Sequence, residues 1–160
     1  MVEHATMRIA EMLRFLPPPV LFMICFASSS LGERLRPWPV TLDHRVGVGI
    51  GAAILVAAAT FGSWAAYEMW RHHTPLEPGH VPRKLVTTGP FRFTRNPLYV
   101  TLVLIVVASG FMIESAWFFV GAAALAVLLD RLVIVREERV IREHFGEEYE
   151  AYIASVRRWV

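Results

Sequence analysis

The feature that most constrains this chain is an unbroken stretch without charge from Val46 to Tyr67. Its 22 residues suffice for one bilayer crossing, because about 20 apolar helical residues span the hydrocarbon core. Hydrophobic residues make up 55% of the 160 residues, whereas soluble domains are nearer about 45–50% apolar. A domain of this size cannot bury that much apolar surface internally. We therefore expect an all-α membrane protein that crosses the bilayer several times.

Three further uncharged runs predict additional membrane helices. The first opens with three prolines, which are tolerated at a helix start and costly inside, so this helix should begin near Pro18 or Pro19. Another begins with a proline preceded by an asparagine, the order of an N-cap and a first helical position. Only Glu114 separates it from the last run, which predicts an antiparallel helical hairpin. The predicted transmembrane helices are 16–32, 46–70, 97–113 and 115–135.

The distribution of basic residues predicts the orientation of these helices. Five lysines and arginines lie in the loop 71–96 and five arginines lie after residue 135, whereas the Glu114 turn has none. The positive-inside rule then places the loop and the tail in the cytoplasm. Arg34, Arg36 and Arg45 would face outward, against the rule. The tail 136–160 is predicted to be an amphipathic helix, bent near Gly146, with apolar residues on one face.

Several functions are disfavoured by the totals. A net charge of +2 is too small to indicate a nucleic-acid partner. Cys25 is the single cysteine, so no internal disulfide is possible, and its apolar surroundings favour a small buried hydrophobe. His72 and His73 have no cysteine or carboxylate at ligand spacing, so we expect no metal site. The first apolar run begins late and lacks a clear cleavage site, so we do not expect a cleavable signal peptide.

Gly47, Gly49 and Gly51 spell a G-x-G-x-G pattern that imitates a nucleotide-binding loop. Such a loop follows a strand and opens a helix. Here the glycines lie inside a predicted membrane helix, where Gly47 and Gly51 form the G-x-x-x-G spacing that lets helices approach closely. We therefore interpret them as a helix-packing surface.

The segment LVTTGPFRFTRNPLY, 85–99, is a second candidate for chemistry. Arg92 and Arg95 precede a helix N-terminus, and together these groups could bind a carboxylate or a phosphate. The alternative is that both arginines are anchors that reach the lipid headgroups. The residues alone favour neither interpretation.

Acidic residues near the end of the last membrane helix are a third candidate. Glu137 and Glu138 could bind a ribose diol, hold a cation or act as a base, although composition alone favours a solvated charged face. Asp130 and Arg131 lie inside the apolar run, where charges are costly. Adjacent helical residues do not face each other, so at least one of these two needs another partner.

Two long motifs then resemble a known group. TGPFRFTRNPLY at 88–99 and REERVIREHFGEEYEAYIASVRRW at 136–159 look like the isoprenylcysteine carboxyl methyltransferase and phospholipid methyltransferase superfamily. The resemblance implies one membrane domain, 1–160, whose half 80–160 binds S-adenosylmethionine at the cytoplasmic boundary of a bacterial inner membrane. It implies that a lipophilic acceptor enters from membrane lipids.

The resemblance also implies roles for individual residues. Arg95, Asn96, Pro97 and Tyr99 match its R-[HN]-P-x-Y core, and Glu137 and Glu138 match its paired glutamates. Catalytic roles are expected for Arg92, Arg95 and Glu137, with Glu137 or Glu138 as a base and the rings of Tyr99 and Phe91 or Phe93 near the sulfonium. The expected cofactor-binding residues are His80, Leu85, Val86, Thr88, Gly89, Asn96, Pro97, Tyr99, Glu137 and Glu138.

Two departures from the family pattern bear on the pocket. Thr101 stands where relatives often have glycine, and Asp130 stands where bacterial relatives often have histidine or another polar residue. Two other classes of function stay open: an NADPH-dependent reductase, because the second half is distantly similar to membrane sterol reductases, and a non-catalytic membrane protein that kept the fold. The acceptor group and the oligomeric state do not follow from the sequence.

Overall fold

The computed structural model describes residues 17–73 and 84–160, and within these ranges the chain is helical without strands. The all-α fold class is therefore confirmed. An isolated bridge pairs Pro39 with Ser115. A 3-10 turn, Gly89–Arg92, precedes the third helix, and a π-helical segment, Leu129–Ile134, joins the fourth to the fifth. The helices are α1 Pro18–Leu35, α2 His44–Arg71, α3 Pro97–Ile113, α4 Ala116–Leu128, α5 Val135–Phe145 and α6 Glu147–Ser155.

The helix starts follow local sequence rules. α1 begins at Pro18, as its three prolines predict. At the start of α2, the Asp43 carboxylate accepts hydrogen bonds from the backbone N–H groups of Arg45 and Val46 at 3.0 and 3.2 Å. α3 begins at Pro97 and ends at Ile113, the bounds that the uncharged run predicts.

The short connection between α3 and α4 makes the predicted hairpin. Glu114 takes a left-handed conformation with φ 58°, which reverses the chain within two residues. The loop after α1 fastens to this turn: Val40 N–H donates to the Glu114 carbonyl at 2.8 Å, and the Ser115 hydroxyl donates to Glu33 at 2.6 Å. The α1–α2 and α3–α4 connections therefore lie at one end of the bundle.

The glycines of α2 serve packing, as predicted. A Cβ atom on Gly47 would lie 2.8 Å from the Phe111 carbonyl oxygen, and one on Gly51 would lie 2.7 Å from that of Ala108. A Cβ atom on Gly49 would meet nothing within 4 Å. The G-x-x-x-G pair thus brings the backbones of α2 and α3 together. The buried cluster between α1, α3 and α4 consists of Leu21, Cys25, Val106, Phe118, Ala122, Leu125, Leu129 and Val133.

Within residues 17–73 and 84–160, two helices are long and apolar enough to cross a membrane. They are His44–Arg71 and the continuous helix Ala116–Phe145, which includes the π-helical segment. Pro97–Ile113 contains no charged residue but is shorter, and the prediction of four spans stays a prediction. The antiparallel course of the helices brings the end of α2, the start of α3 and the start of α5 to the end opposite the two short connections.

The tail differs from the single amphipathic helix predicted over 136–160. α5 ends at Phe145, Gly146 turns the chain with φ 51°, and α6 ends at Ser155. Residues after Ser155 are not helical, and Val156 is extended with φ −125° and ψ 132°. The predicted bend near Gly146 is confirmed. Glycine suits this position, because it adopts a positive φ more readily than other residues do. The helical part of the tail is shorter than predicted. The extended end instead contacts the start of α3 through the carbonyl groups of Arg157 and Arg158.

Candidate functional site: a cavity at the charged end of the bundle

A partly open cavity of about 160 Å³ lies at the end of the bundle where α2 ends and α3 begins. Its wall is largely apolar, and its polar groups come from the start of α3 and from α5. This combination of an apolar wall with a few converging polar groups is typical of small-molecule sites. The lining residues are Met69, Leu85, Val86, Phe91, Arg95, Asn96, Pro97, Leu98, Tyr99, Glu137, Glu138, Ile141, Tyr149 and Tyr152.

The principal ionic contact in the wall joins Arg95 to Glu138. The Arg95 Nη2 donates to Glu138 Oε1 at 2.8 Å, and Glu138 is 9% exposed. Arg158 donates to the same carboxylate with Nη2 at 2.5 Å and with Nε at 3.1 Å. The interpretation of Glu138 as part of a solvated face is therefore wrong, because its two oxygens lie between two guanidinium groups. The hydrogen bonds to Glu138 raise the pKa of Arg158.

The Arg95 guanidinium has one donor to spare. Its Nη1 donates to the Val156 carbonyl oxygen at 3.2 Å. Among the buried side-chain atoms of residues 17–73 and 84–160, the Nε of Arg95 lacks a hydrogen-bond partner. An unpaired buried donor on a charged group is costly, and a bound ligand or an ordered water can supply the missing acceptor.

Glu137 makes a separate contact on the cavity wall. The Tyr99 hydroxyl donates to Glu137 Oε1 at 2.8 Å, which joins the first turn of α3 to α5. Glu137 and Glu138 are adjacent in the chain, yet both line the cavity. The two carboxylates differ in their partners, since Glu138 lies between cations and Glu137 is bonded to a phenol. They are therefore suited to different work.

Asp130 finds the partner that its depth in the apolar run requires. It lies in the π-helical segment and accepts hydrogen bonds from Arg158 Nη1 and Trp159 Nε1, each at 3.1 Å. Arg131 is exposed, and its Nε lies 3.8 Å from the Asp130 carboxylate, so the two neighbours also approach each other.

Tyr149 and Tyr152 form the side of the cavity contributed by α6. Both residues are buried, and the Tyr152 hydroxyl donates to the Phe91 carbonyl oxygen at 2.7 Å. Burial raises the pKa of Tyr149 to about 12 and also raises that of Tyr152. Both phenols are therefore neutral at physiological pH and present ring faces and hydroxyl groups to a ligand.

The approach to the cavity is fastened to α2 through Glu68, which is 6% exposed. The Thr88 hydroxyl donates to Glu68 Oε2 at 2.6 Å. Gly89 has φ 59°, and a Cβ atom there would lie 2.7 Å from Glu68 Cγ. Leu85 and Val86, which line the cavity, are two or three positions before Thr88 in the chain. The contact between Thr88 and Glu68 therefore limits the movement of both residues.

The structure brings together most of the residues that the sequence singled out, and it separates others. Arg92 is exposed at the end of the 3-10 turn and does not line the cavity, and Phe93 is also exposed. Thr88 and Gly89 lie behind the wall against Glu68. His80 lies outside the described residues. The predicted residues that line the cavity are Leu85, Val86, Arg95, Asn96, Pro97, Tyr99, Glu137 and Glu138.

Asn96 has a different contact from the one predicted for it. It occupies the N-cap position of α3 but makes no side-chain capping bond. Its Nδ2 instead donates to the Arg158 carbonyl oxygen at 3.0 Å. The extended tail therefore attracts the side chain that would otherwise cap the helix.

Several residues of the site were missed by the sequence interpretation. Arg158 was counted only as a basic tail residue, and Tyr149 and Tyr152 only as the apolar face of an amphipathic helix. Glu68 was overlooked, although a carboxylate three residues inside the end of α2 is a signal, because a charge at that depth needs a partner.

The fold and the site together define a class of helical proteins that have bilayer-length helices and, at one end, an apolar cavity with a few converging polar groups. Residues 46–148 match the phospholipid methyltransferase family, which is more than half of the chain. This chain belongs to that family, as its two motifs predict, and membership implies a membrane methyltransferase. An uncharacterized protein of Haemophilus influenzae is 30% identical over 63 residues, which are 39% of this chain and 100% of that protein. No solved structure matches.

Proposed function

We propose that this chain transfers a methyl group from S-adenosylmethionine to a lipophilic acceptor at the membrane surface. The observation that carries the proposal is the cavity itself, where Arg95, Tyr99, Glu137 and Glu138 converge on an apolar wall at the end of bilayer-length helices. Family membership supports the methyl-transfer chemistry. The position of the cavity at the end of the bilayer-length helices supports the membrane surface as the place of the reaction.

The groups on the cavity wall suit the parts of S-adenosylmethionine. The free Nε of Arg95 is a donor for a carboxylate. The rings of Tyr99, Phe91 and Tyr149 can face a cationic sulfonium. Carboxylate oxygens of Glu137 can accept hydrogen bonds from ribose hydroxyls. When bound, this cofactor supplies an electrophilic methyl group on a positively charged sulfur.

Glu137 is the residue that we assign to proton transfer. Its carboxylate has one neutral partner, the Tyr99 hydroxyl, and so keeps oxygen lone pairs available, whereas Glu138 is occupied by two arginines. An amine, phenol or thiol acceptor must lose a proton on methylation, and a carboxylate at hydrogen-bond distance can take it. A carboxylate acceptor needs no base. It would instead compete for the free Arg95 donor.

We propose that the acceptor is lipophilic, because the cavity adjoins the apolar part of helices that are long enough to cross a bilayer. Met69 and Leu98 on its wall belong to the ends of α2 and α3, so an apolar chain can lie along these helices while its reactive group enters the cavity. We also propose that this end faces the cytoplasm. Most of the lysines and arginines among the described residues lie at this end, as the positive-inside rule requires.

Methyl transfer can be tested in membranes from cells that express the chain. Tritiated methyl groups from S-adenosylmethionine should appear in the organic extract with the wild-type chain and should be lost with Arg95→Ala. Glu137→Gln should lose the label on amine, phenol and thiol acceptors, which must release a proton. Arg139→Ala is the matched control, because Arg139 is exposed on α5 away from the cavity wall. Absence of label above empty membranes across amine, phenol, thiol and carboxylate lipids would contradict the proposal. Binding of NADPH in its place would indicate a reductase.

A further inference from the structure

The extended end of the chain makes a compact set of contacts with the start of α3. Arg95 N–H donates to the Arg157 carbonyl oxygen at 3.0 Å. The Thr94 hydroxyl donates to the Arg158 carbonyl oxygen at 2.9 Å, and Asn96 donates to the same oxygen. The tail residues of these contacts, Arg157 and Arg158, lie beyond the region that matches the family, which ends at residue 148. They fix the backbone of the residues that open the cavity.

The Arg158 side chain connects this segment to two carboxylates, one on α5 and one on the π-helical segment. It contacts both oxygens of Glu138 and one oxygen of Asp130. Planar guanidinium groups are suited to this, because their donors form a fork that engages a carboxylate at two points. Arg158 therefore spans from α5 to the π-helical segment and closes the set of contacts that begins at Arg95.

The charges in this set balance. Arg95 and Arg158 carry two positive charges, and Glu138 and Asp130 carry two negative ones. Removal of Arg158 would leave Glu138 with Arg95 as its cation and would leave Asp130 with Trp159 and the exposed Arg131, whose Nε lies 3.8 Å away. The Arg95 guanidinium would then be drawn further onto Glu138, because an uncompensated buried carboxylate attracts the nearest cation.

We propose that Arg158 is a positioning residue that holds Glu138 in place and so keeps the Arg95 guanidinium on the cavity wall, where it can bind the anionic group of the cofactor. Arg158 does not line the cavity and acts through Glu138. The inference rests on the proposed function, since it names a residue outside the wall on which cofactor binding depends.

The test compares three variants by calorimetric titration with S-adenosylhomocysteine. Arg158→Leu should weaken binding about tenfold, the ratio expected for one misplaced charge-assisted hydrogen bond. Arg139→Leu, an exposed arginine of α5, should bind as the wild-type chain does. The double variant Asp130→Asn/Arg158→Leu also neutralises Asp130, which has lost Arg158 as its cation, so it should recover part of the lost thermal stability but none of the lost affinity.

The double variant separates a positioning role from a merely structural one. Recovery of both stability and affinity would overturn the inference, because Arg158 would then act only by neutralising Asp130. Wild-type affinity in Arg158→Leu would overturn it as well. In turnover assays, Arg158→Leu should raise KM for the cofactor with kcat nearly unchanged, and a fall in kcat alone would contradict a role in cofactor binding. Absence of binding by the wild-type chain would instead contradict the proposed function.

Discussion

The Glu138 carboxylate lies 2.8 Å from the Arg95 guanidinium, although 43 positions separate the two residues in the chain. The contact joins the start of α3 to α5 and therefore connects the two motifs by which the family resemblance was recognised. Arg158 completes the contact from the tail. The charged groups that look like independent surface residues in the sequence form one partly buried ionic set in the fold.

Glu137 and Glu138 are adjacent, and their substitution should give different results. Glu138→Gln removes the charge between two arginines and should lower the free energy of unfolding by about 3 kcal/mol, as for a broken buried ion pair. Glu137→Gln keeps an oxygen for the Tyr99 hydroxyl, so its cost should stay below about 1 kcal/mol. Thermal unfolding in detergent measures both changes. Equal destabilisation by the two substitutions would contradict the difference in partners.

The same pair of variants should separate binding from turnover. Glu137→Gln should retain affinity for S-adenosylhomocysteine within a few-fold and lose methyl transfer to acceptors that must release a proton. Glu138→Gln should lose affinity. Full activity of Glu137→Gln with an amine, phenol or thiol acceptor would remove Glu137 as the base.

The Thr88 hydroxyl should contribute to stability, because it donates a short hydrogen bond to the buried carboxylate of Glu68. Thr88→Val removes the donor at 2.6 Å and should cost about 1–3 kcal/mol, the range for a buried polar group left unsatisfied. Thr88→Ser keeps the hydroxyl and is the matched control. We expect weaker cofactor binding in the valine variant alone, since Leu85 and Val86 line the cavity nearby. Indistinguishable melting temperatures for valine and serine would show that the contact carries no stability.

Helix packing by α2 can be tested with two glycines of the same motif. Gly51→Ala should cost about 1–3 kcal/mol, because its Cβ would lie 2.7 Å from the Ala108 carbonyl oxygen and force α2 away from α3. Gly49→Ala meets nothing within 4 Å and should be neutral or slightly stabilising. Thermal unfolding of the purified variants gives the comparison. A larger loss at Gly49 than at Gly51 would contradict the packed interface.

The four-span arrangement predicts where the α1–α2 connection lies. A reporter fused after Arg36 should give an extracytoplasmic signal, and one fused after Arg142 should give a cytoplasmic signal, because the two positions lie at opposite ends of the bundle. Alkaline phosphatase and green fluorescent protein fusions report the two sides. A cytoplasmic signal after Arg36 would contradict four spans.

Patterns that depend on neighbouring residues were predictable from the sequence. The bounds of α3, the start of α1 at Pro18, the bend at Gly146 and the packing role of Gly47 and Gly51 all follow from proline, glycine and charge spacing. Each rests on a local steric rule or on an uninterrupted apolar run, so no distant contact had to be known.

Features that depend on distant contacts were not predictable. The π-helical segment at Leu129–Ile134 and the extended end after Ser155 are stabilised by the Asp130, Arg158 and Trp159 contacts, and helical periodicity gives no signal for either. Asn96 has the sequence of a helix cap, but a carbonyl group 62 positions away attracts its side chain. Arg92 and Arg95 look equivalent in the sequence, yet only Arg95 lines the cavity, because the 3-10 turn leaves Arg92 in the solvent.

We propose that the cavity between α3, α5 and α6 binds S-adenosylmethionine. Calorimetric titration of the purified chain with S-adenosylhomocysteine tests it most directly. We predict saturable binding in the micromolar range that is lost in Glu138→Ala and in Arg95→Ala. No binding in detergent and in nanodiscs, or unchanged affinity in both variants, would contradict it.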